Sequence, residues 1–315
     1  MCKVTAIITT HNRGYLVTNA INSVLNQTFK DFELLIIDDA SKDNTEEVVK
    51  NFADDRIRYI KILPSNSKGG NYARNLGINE AKGEFIAFLD DDDEWMLDKL
   101  EKQLEVFKKD NKVGLVYAGL WNIQVDEKIV NRVIPLKRGN LSKDILMFNP
   151  IGPLSLVMAM KEILIKIELF DIEMPAMQDY DMYVRLCQIC DVDFVKEPLV
   201  KYHRYSTIDS IGKKLEKYEK AIILINEKYK NLIQALSIKE RKQRDIHIYN
   251  TFCGLALLNN DFEKLKKYAL KGLSIQFSIK IFTKLCFGFM GNYKSNKIGR
   301  NLYKLASNVN RLFFK

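Results

Sequence analysis

The feature that most constrains this 315-residue chain is the alternation, over its first ~120 residues, of short apolar runs with helical patterns, each run ending in a polar cluster. VTAIITT (4–10), FELLIID (32–38), IRYIKIL (57–63) and EFIAFL (84–89) are rich in β-branched and aromatic residues, as strands buried on both faces require. GYLVTNAINSVLNQ (14–27) has helical spacing at Leu16, Ala20, Val24 and Gln27. Ser41 and Asp43 can cap a second helix that has Glu46 and Glu47 in its first turn. NYARNLGINEA (71–81) is a third, stopping at Lys82-Gly83, and MLDKLEKQLEVFKK (96–109) is again amphipathic. Strands and helices at this spacing predict an α/β fold, a mainly parallel sheet flanked by helices. Such sheets bind ligands beyond the carboxyl ends of their strands. Thr9–Asn12, Asp38-Asp39 and Asp90–Asp93 sit at those ends.

Residues 113–212 are mixed. VGLVYAGLW (113–121) and KIVNRVIPL (128–136) are strand-like, a helix is expected around DYDMYVRLCQIC (179–190), and VDFVKEPLVKYHRY (192–205) closes the region. Residues 213–315 read as helices throughout, so a boundary is expected near Ser210–Lys214, between domains at 1–212 and 213–315. Charge divides at the same place. Residues 1–212 carry 27 Lys/Arg against 33 Asp/Glu, whereas 213–315 carry 22 against 7. Two regions of opposite sign argue for different partners. With an acidic binding face and no recognised motif, a nucleic-acid partner is not expected. In the basic region, LSIQFSIKIFTKLCFGFM (273–290) and NKIGRNLYKLASNVNRLFFK (296–315) interleave bases with apolar residues. That pattern suits an anionic membrane surface; a packing element or a homo-oligomer contact is the other reading. No apolar run approaches the ~18–20 residues of a membrane span, and no leader pattern opens the chain. The five scattered cysteines, including Cys187 and Cys190 in a C-x-x-C, read as reduced thiols of a cytoplasmic protein.

FLDDDDEW (88–95) sets five adjacent carboxylates directly after an apolar strand. They repel one another and gain nothing from burial, but a divalent cation would neutralise them. Mg2+ and Mn2+ favour oxygen ligands and often take one or two carboxylates plus substrate phosphates. Asp90 and Asp92 form a D-x-D pair able to address a metal–diphosphate. The plainer alternative is a solvated turn capping a helix at Trp95. At the second strand end, an Asp38-Asp39 carboxylate can accept from a nucleotide base or ribose, or else build a turn with Ser41. The chain lacks the glycine fingerprint of a dinucleotide fold, the P-loop pattern and the EF-hand spacing.

VTAIITTHNR, INSVLNQTFKDFELLIIDDASKDNT and GGNYARNLGINEAKGEFIAFLDDDDEW together resemble the donor-binding half of glycosyltransferase family 2, over about residues 3–110 and more weakly to about 210. The resemblance implies a GT-A-type fold with a nucleotide-sugar half (about 1–110), an acceptor half (about 111–212) and a C-terminal helical extension. It implies an inverting transfer, from a nucleotide-sugar such as a UDP-sugar to a lipid-linked or polysaccharide acceptor, on the inner face of the cell membrane. Thr9, His11, Asn12 and Arg13 would contact the nucleotide, Asp39 the base, and Arg74 the nucleotide site. Asp90 and Asp92 would be the metal pair for Mn2+ or Mg2+, with Asp92 the direct ligand and Asp91 and Asp93 tuning charge or capping the next helix. QDYDMYVRL (178–186) resembles the family's acidic motif, with Gln178 where the family often has Glu. Asp179 is then the base that takes the acceptor's proton, and Asp181 the second candidate. His203 or Arg204, in KYHRYSTIDS (201–210), would close over the diphosphate. Two other readings are a nucleotidyltransferase making an activated sugar, against which the single glycine of TTHNRGYL speaks, and a non-catalytic membrane assembly module.

Overall fold

The computed structural model describes residues 2–126, 128–205 and 214–289. Two compact units emerge. One comprises Met1–Ile145, Asn149–Met174 and Gln178–Ile208; the other comprises Leu146–Phe148, Pro175–Met177 and Asp209–Lys315. The boundary expected near Ser210–Lys214 lies outside the described residues except for Lys214, and so do the basic segment 296–315 and residues 206–210 of KYHRYSTIDS.

The first unit opens as the alternation dictates: β1 (Val4–Thr10), α1 (Gly14–Leu25), β2 (Phe32–Asp38), α2 (Thr45–Lys50), β3 (Ile57–Lys61), α3 (Gly70–Glu80) and β4 (Phe85–Asp90). These four strands are parallel, in the order β3-β2-β1-β4. Then follow β5 (Glu94–Trp95), α4 (Lys99–Phe107), β6 (Val113–Gln124), β7 (Ile129–Val133), α5 (Asp144–Met147), β8 (Met158–Met160), α6 (Lys161–Lys166), α7 (Gln178–Leu186) and β9 (Asp191–Arg204). Among the described residues all nine strands form one sheet, continuing β4-β8-β6-β9-β5, with β7 paired to β6. Six strands run one way; β5, β7 and β8 run against them. The sheet is therefore mainly parallel, as expected.

The apolar runs of β1, β2 and β4 are nearly solvent-free, which is why they lack alternation. Helix α3 lies close on this layer: a Cβ at Gly77 would meet Ile7 Cγ2 at 2.9 Å and Ile37 Cγ1 at 3.2 Å. Register then assembles the three polar clusters. Thr10 sits opposite Asp38, and Thr9 opposite Asp90. The chain leaves β1 and β2 through left-handed residues, Asn12 (φ 52°) and Ala40 (φ 62°). These sharp exits keep both loops against the strand ends.

The acidic knot does not cap a helix at Trp95, which corrects that reading and the capping role given to Asp93. Glu94 and Trp95 form a two-residue strand against Lys201 and Val200 of β9, and the helix begins only at Lys99. Trp95 drives this: its ring is 3% exposed and its indole Nε1–H donates to the Ser155 carbonyl at 3.0 Å.

The second unit is helical through its described part: α8 (Leu215–Lys228), α9 (Lys230–Gln234), α10 (Ile238–Leu258), α11 (Phe262–Ile275) and α12 (Ile279–Phe289). Ser237 and Glu240 make a reciprocal capping box on α10, and Asp261 caps α11. Leu215, Phe252, Cys253, Ala256, Leu265, Ala269 and Ile281 build its own core. No described helix is long and apolar enough to cross a membrane.

Candidate active site

At the end of β2 the two adjacent aspartates separate in role. Asp38 is fully buried and spent on structure: it accepts from the Ser41 N–H at 2.8 Å and from the Tyr59 hydroxyl at 2.5 Å. Asp39 is 7% exposed, and its Oδ1 has no hydrogen-bond partner among the described residues. A buried carboxylate oxygen left without a donor is costly, so it is poised for a ligand donor.

The loop after β1 is tied to this end. His11 Nδ1 donates to the Asp39 carbonyl at 2.5 Å. A carbonyl only accepts, so Nδ1 carries the proton, leaving Nε2 to accept from Asn12 Nδ2 at 2.8 Å. Asn12 is held in turn by Ser41 and Lys42. Arg13 Nη1 reaches Asp91 Oδ1 at 2.7 Å and Asp92 Oδ2 at 3.2 Å. Thr9 lies between Ile37 and Asp90 in the sheet.

The knot sorts its carboxylates by neighbour. Asp90 accepts from Arg74 Nη2 at 3.1 Å. Asp93 is 1% exposed and takes the Ser155 hydroxyl at 2.6 Å and the His203 N–H at 3.0 Å. Asp93 is thus an internal brace between β4 and β9. Burial, then repulsion from Asp90 and Asp91, pushes the Asp92 carboxyl up to about 7 against the pull of Arg13. Burial also raises Asp91 and Asp93. His203 Nδ1 donates to the Asp92 carbonyl at 3.0 Å, while Nε2 stands 3.6 Å from Glu94 Oε1. Arg204 is exposed and lies over the Tyr202 ring, with its backbone carbonyl bonded to Val125. Among the described residues no hydrogen bond or ion pair draws its side chain into the cluster.

Helix α7 carries Asp179 and Asp181 in different settings. Asp179 keeps part of its surface open, yet burial pushes its carboxyl up to about 6. The charges it feels are those of Arg74 and Asp90, so it belongs electrostatically to the knot's cluster. Asp181 is 0% exposed and clamped by Arg185 Nε at 3.2 Å and Nη2 at 2.8 Å. A fully buried, ion-paired carboxylate cannot meet an acceptor hydroxyl, so Asp181 is placed as a brace for α7.

A family model described as glycosyl transferase family 2 matches residues 5–164, half of the chain. The chain belongs to glycosyltransferase family 2. An uncharacterized glycosyltransferase of Rickettsia conorii is 32% identical over 213 residues, covering 64% of this chain and 34% of that protein. The chain thus spans about a third of that relative's length. The UDP-Glc:alpha-D-GlcNAc-diphosphoundecaprenol beta-1,3-glucosyltransferase of Escherichia coli is 39% identical over 132 residues, 42% of this chain and 50% of that one. Among solved structures, a mannosyltransferase from Pyrobaculum calidifontis, in complex with GDP-Man and Mn2+, aligns over 100% of this chain and 88% of its own. Its TM-score is 0.59 at 17% identity, a likeness of fold.

The donor set of this family 2 site is chemically suited to a hard divalent ion. Asp90 and Asp92 would supply carboxylate oxygens, and a cation would offset the burial and the repulsion from Asp90 and Asp91 that lift Asp92. No group of three or more His, Cys, Asp or Glu converges to hold a metal among the described residues. The fit is to an ion completed by ligand phosphates, the usual mode for Mg2+.

Four residues escaped the sequence reading. Ser155 joins Asp90, Asp93 and Trp95 from 60 or more residues away. Asn75 clasps Phe170 through both N–H and carbonyl, at 2.9 and 2.8 Å, while Asn71 Nδ2 donates to the Asp171 carbonyl at 2.7 Å. These two asparagines flank Arg74 on α3, a spacing that marks one helix face. Tyr183, one turn beyond Asp179, is 0% exposed with a hydroxyl that has no hydrogen-bond partner among the described residues. Only a tertiary structure could reveal Ser155 and Tyr183.

Proposed function

We propose that the chain is an inverting glycosyltransferase that moves a sugar from a nucleotide-sugar, a UDP-sugar above all, to a lipid-linked acceptor in cell-surface glycan synthesis. The observation that carries this is the electrostatic joining of Asp179 to Asp90 and Arg74 at the carboxyl end of the sheet. A carboxyl pushed up to about 6 by burial, and within reach of the charge on Asp90 of the D-x-D pair, suits the base that an inverting displacement needs. The UDP donor and lipid-linked acceptor are supported by the named activity of the Escherichia coli relative.

Asp39 Oδ1 takes a donor from the base, and the His11–Asn12–Arg13 loop lies beside it over the nucleotide. Arg74 and Arg13 balance the diphosphate's charge while holding Asp90, Asp91 and Asp92 in place. Asp92, with Asp90, would hold Mn2+ or Mg2+, which when bound supplies Lewis-acid stabilisation of the diphosphate leaving group. Asp179 accepts the acceptor hydroxyl proton. As it does so, the acceptor oxygen bonds to the anomeric carbon and the bond to the diphosphate oxygen breaks with its electron pair. The configuration inverts because attack and departure lie on opposite faces. Positioning and fixed charges supply most of the rate. His203 steadies the knot through its N–H and Nδ1. Association with the inner face of the cell membrane is part of this reading, because a lipid-linked acceptor is presented there.

A thermal-shift panel of UDP-, GDP- and CDP-sugars, with and without Mn2+, tests the reading. UDP-sugars are expected to stabilise the protein in a Mn2+-dependent way. Stabilisation by none of them, or equally by all without metal, would count against it.

A further inference from the structure

The chemistry of the first unit leaves one feature of the second without a purpose. Helices α11 and α12 meet at a tight corner. A Cβ at Gly272 would approach Ile281 Cδ1 at 2.6 Å, and one at Gly288 would approach Leu265 Cδ2 at 2.4 Å. Ile281 is 0% exposed at this contact. The corner is therefore packed to backbone proximity, and residues that point out of it do so from a settled scaffold. Phe277 is 67% exposed, Leu270 55%, Ile279 48% and Phe282 43%. The Phe277 and Phe282 rings lie 5.9 Å apart, centroid to centroid, so two aromatics stand together in solvent beside a fully buried isoleucine. Scattered exposed apolar residues need no explanation, but a cluster with two Phe does.

Charge says what covers it. Residues 264–289 contain six lysines and no acidic residue. Lys266, Lys267, Lys271 and Lys280 are exposed on the same two helices, and Lys267 also lies over the Tyr268 ring. Lys264 pairs with Glu219, and Lys284 donates to Asn250. A protein partner would have to offer an apolar pocket ringed by carboxylates. A lipid bilayer with anionic headgroups offers both properties over any area. Aromatic rings enter the headgroup–acyl boundary, and each nearby lysine adds electrostatic attraction to anionic lipid.

We propose that the α11–α12 corner is a membrane-docking element, with Phe277, Ile279 and Phe282 entering the bilayer interface and Lys267, Lys271 and Lys280 meeting anionic headgroups. It rests on the lipid-linked acceptor reading only for its purpose, which is to keep the enzyme at the surface where such an acceptor is found. Binding itself does not depend on that reading.

Flotation of the full chain with phosphatidylglycerol-rich vesicles, and with phosphatidylcholine vesicles, tests it. The chain is expected to float with the first and not the second, and added salt should weaken the binding. Phe277→Ser/Phe282→Ser and, separately, Lys267→Glu/Lys271→Glu/Lys280→Glu should each cut the bound fraction about tenfold. These side chains are exposed, so far-UV circular dichroism and melting should stay as in the parent. Equal flotation of parent and both variants, no flotation of the parent, or a loss of dimer with vesicle binding unchanged in the Phe variant would each overturn the proposal. Nucleotide-sugar stabilisation in the absence of vesicles reports on the transferase reading separately, so the two failures can be told apart.

Discussion

Arg74 donates from Nη2 to Asp90 Oδ1 at 3.1 Å, so the first carboxylate of the D-x-D pair already shares a cation. Arg74 comes from the start of α3 and Asp90 from the end of β4, and Asp179 feels both charges. Arg74→Ala should therefore weaken UDP binding about tenfold or more, the scale of a hydrogen bond to a charged group. Isothermal titration with UDP and Mn2+ checks this. Unchanged affinity would remove Arg74 from the nucleotide site.

Asp92 carries a pH signature. Its carboxyl is lifted to about 7 in the folded chain, above the ordinary value of an unfolded aspartate near 4. A folded pKa above the unfolded one gives stability that is full below the unfolded value and is lost as pH rises through the folded value. The metal-free protein should thus melt lower as pH climbs from about 4 to about 7. A metal must bind the ionised form, so stabilisation by Mn2+ should grow across the same range. Melting with and without Mn2+ at several pH values measures both trends, and Asp92→Asn should flatten them.

Asp181 and Tyr183 are predicted to behave oppositely in stability. Asp181→Ala removes the carboxylate paired with Arg185, which is 18% exposed and keeps the Ile167 carbonyl, and should cost about 3 kcal/mol in urea denaturation. Tyr183→Phe removes a buried hydroxyl that has no partner among the described residues, so it should leave stability unchanged or raise it by up to about 1 kcal/mol. A large loss in the second variant would mean that the hydroxyl has a partner in solution.

Gly77 tests the seating of α3. Gly77→Ala would drive a methyl into Ile7 and Ile37, which line the core under the site. Overpacking of this kind costs about 1–3 kcal/mol. The same denaturation assay reads it, together with weaker UDP binding as Arg74 shifts.

What was legible in the sequence follows from where the information is local. Strands β1, β2 and β4 announced themselves because burial on both faces demands unbroken β-branched runs, and Asp39, Asp90 and Asp92 because carboxylates at such ends conflict with burial. Asp38 and Asp39 looked alike, since only Ser41 and Tyr59 decide which of them is occupied. Strand β5 was hidden because two residues have no period, and its partner Val200 lies over 100 residues away. Strand β8, three residues wedged antiparallel between β4 and β6, was hidden for the same reason. Asp179 and Asp181 both looked like helix-start acids, and the difference between them is the burial that packing imposes.

The central claim is that Asp179 is the base of a nucleotide-sugar transferase. The measurement is the steady-state rate of UDP release from a UDP-sugar at saturating Mn2+ with a lipid-linked sugar as acceptor, parent against Asp179→Asn, across pH 5 to about 8, with UDP affinity as control. The parent rate is expected to fall as pH drops through about 6, as a base with that pKa requires. The variant is expected to lose at least about a hundredfold in rate while binding UDP normally. A variant with near-parent rate and the same pH limb would contradict that claim.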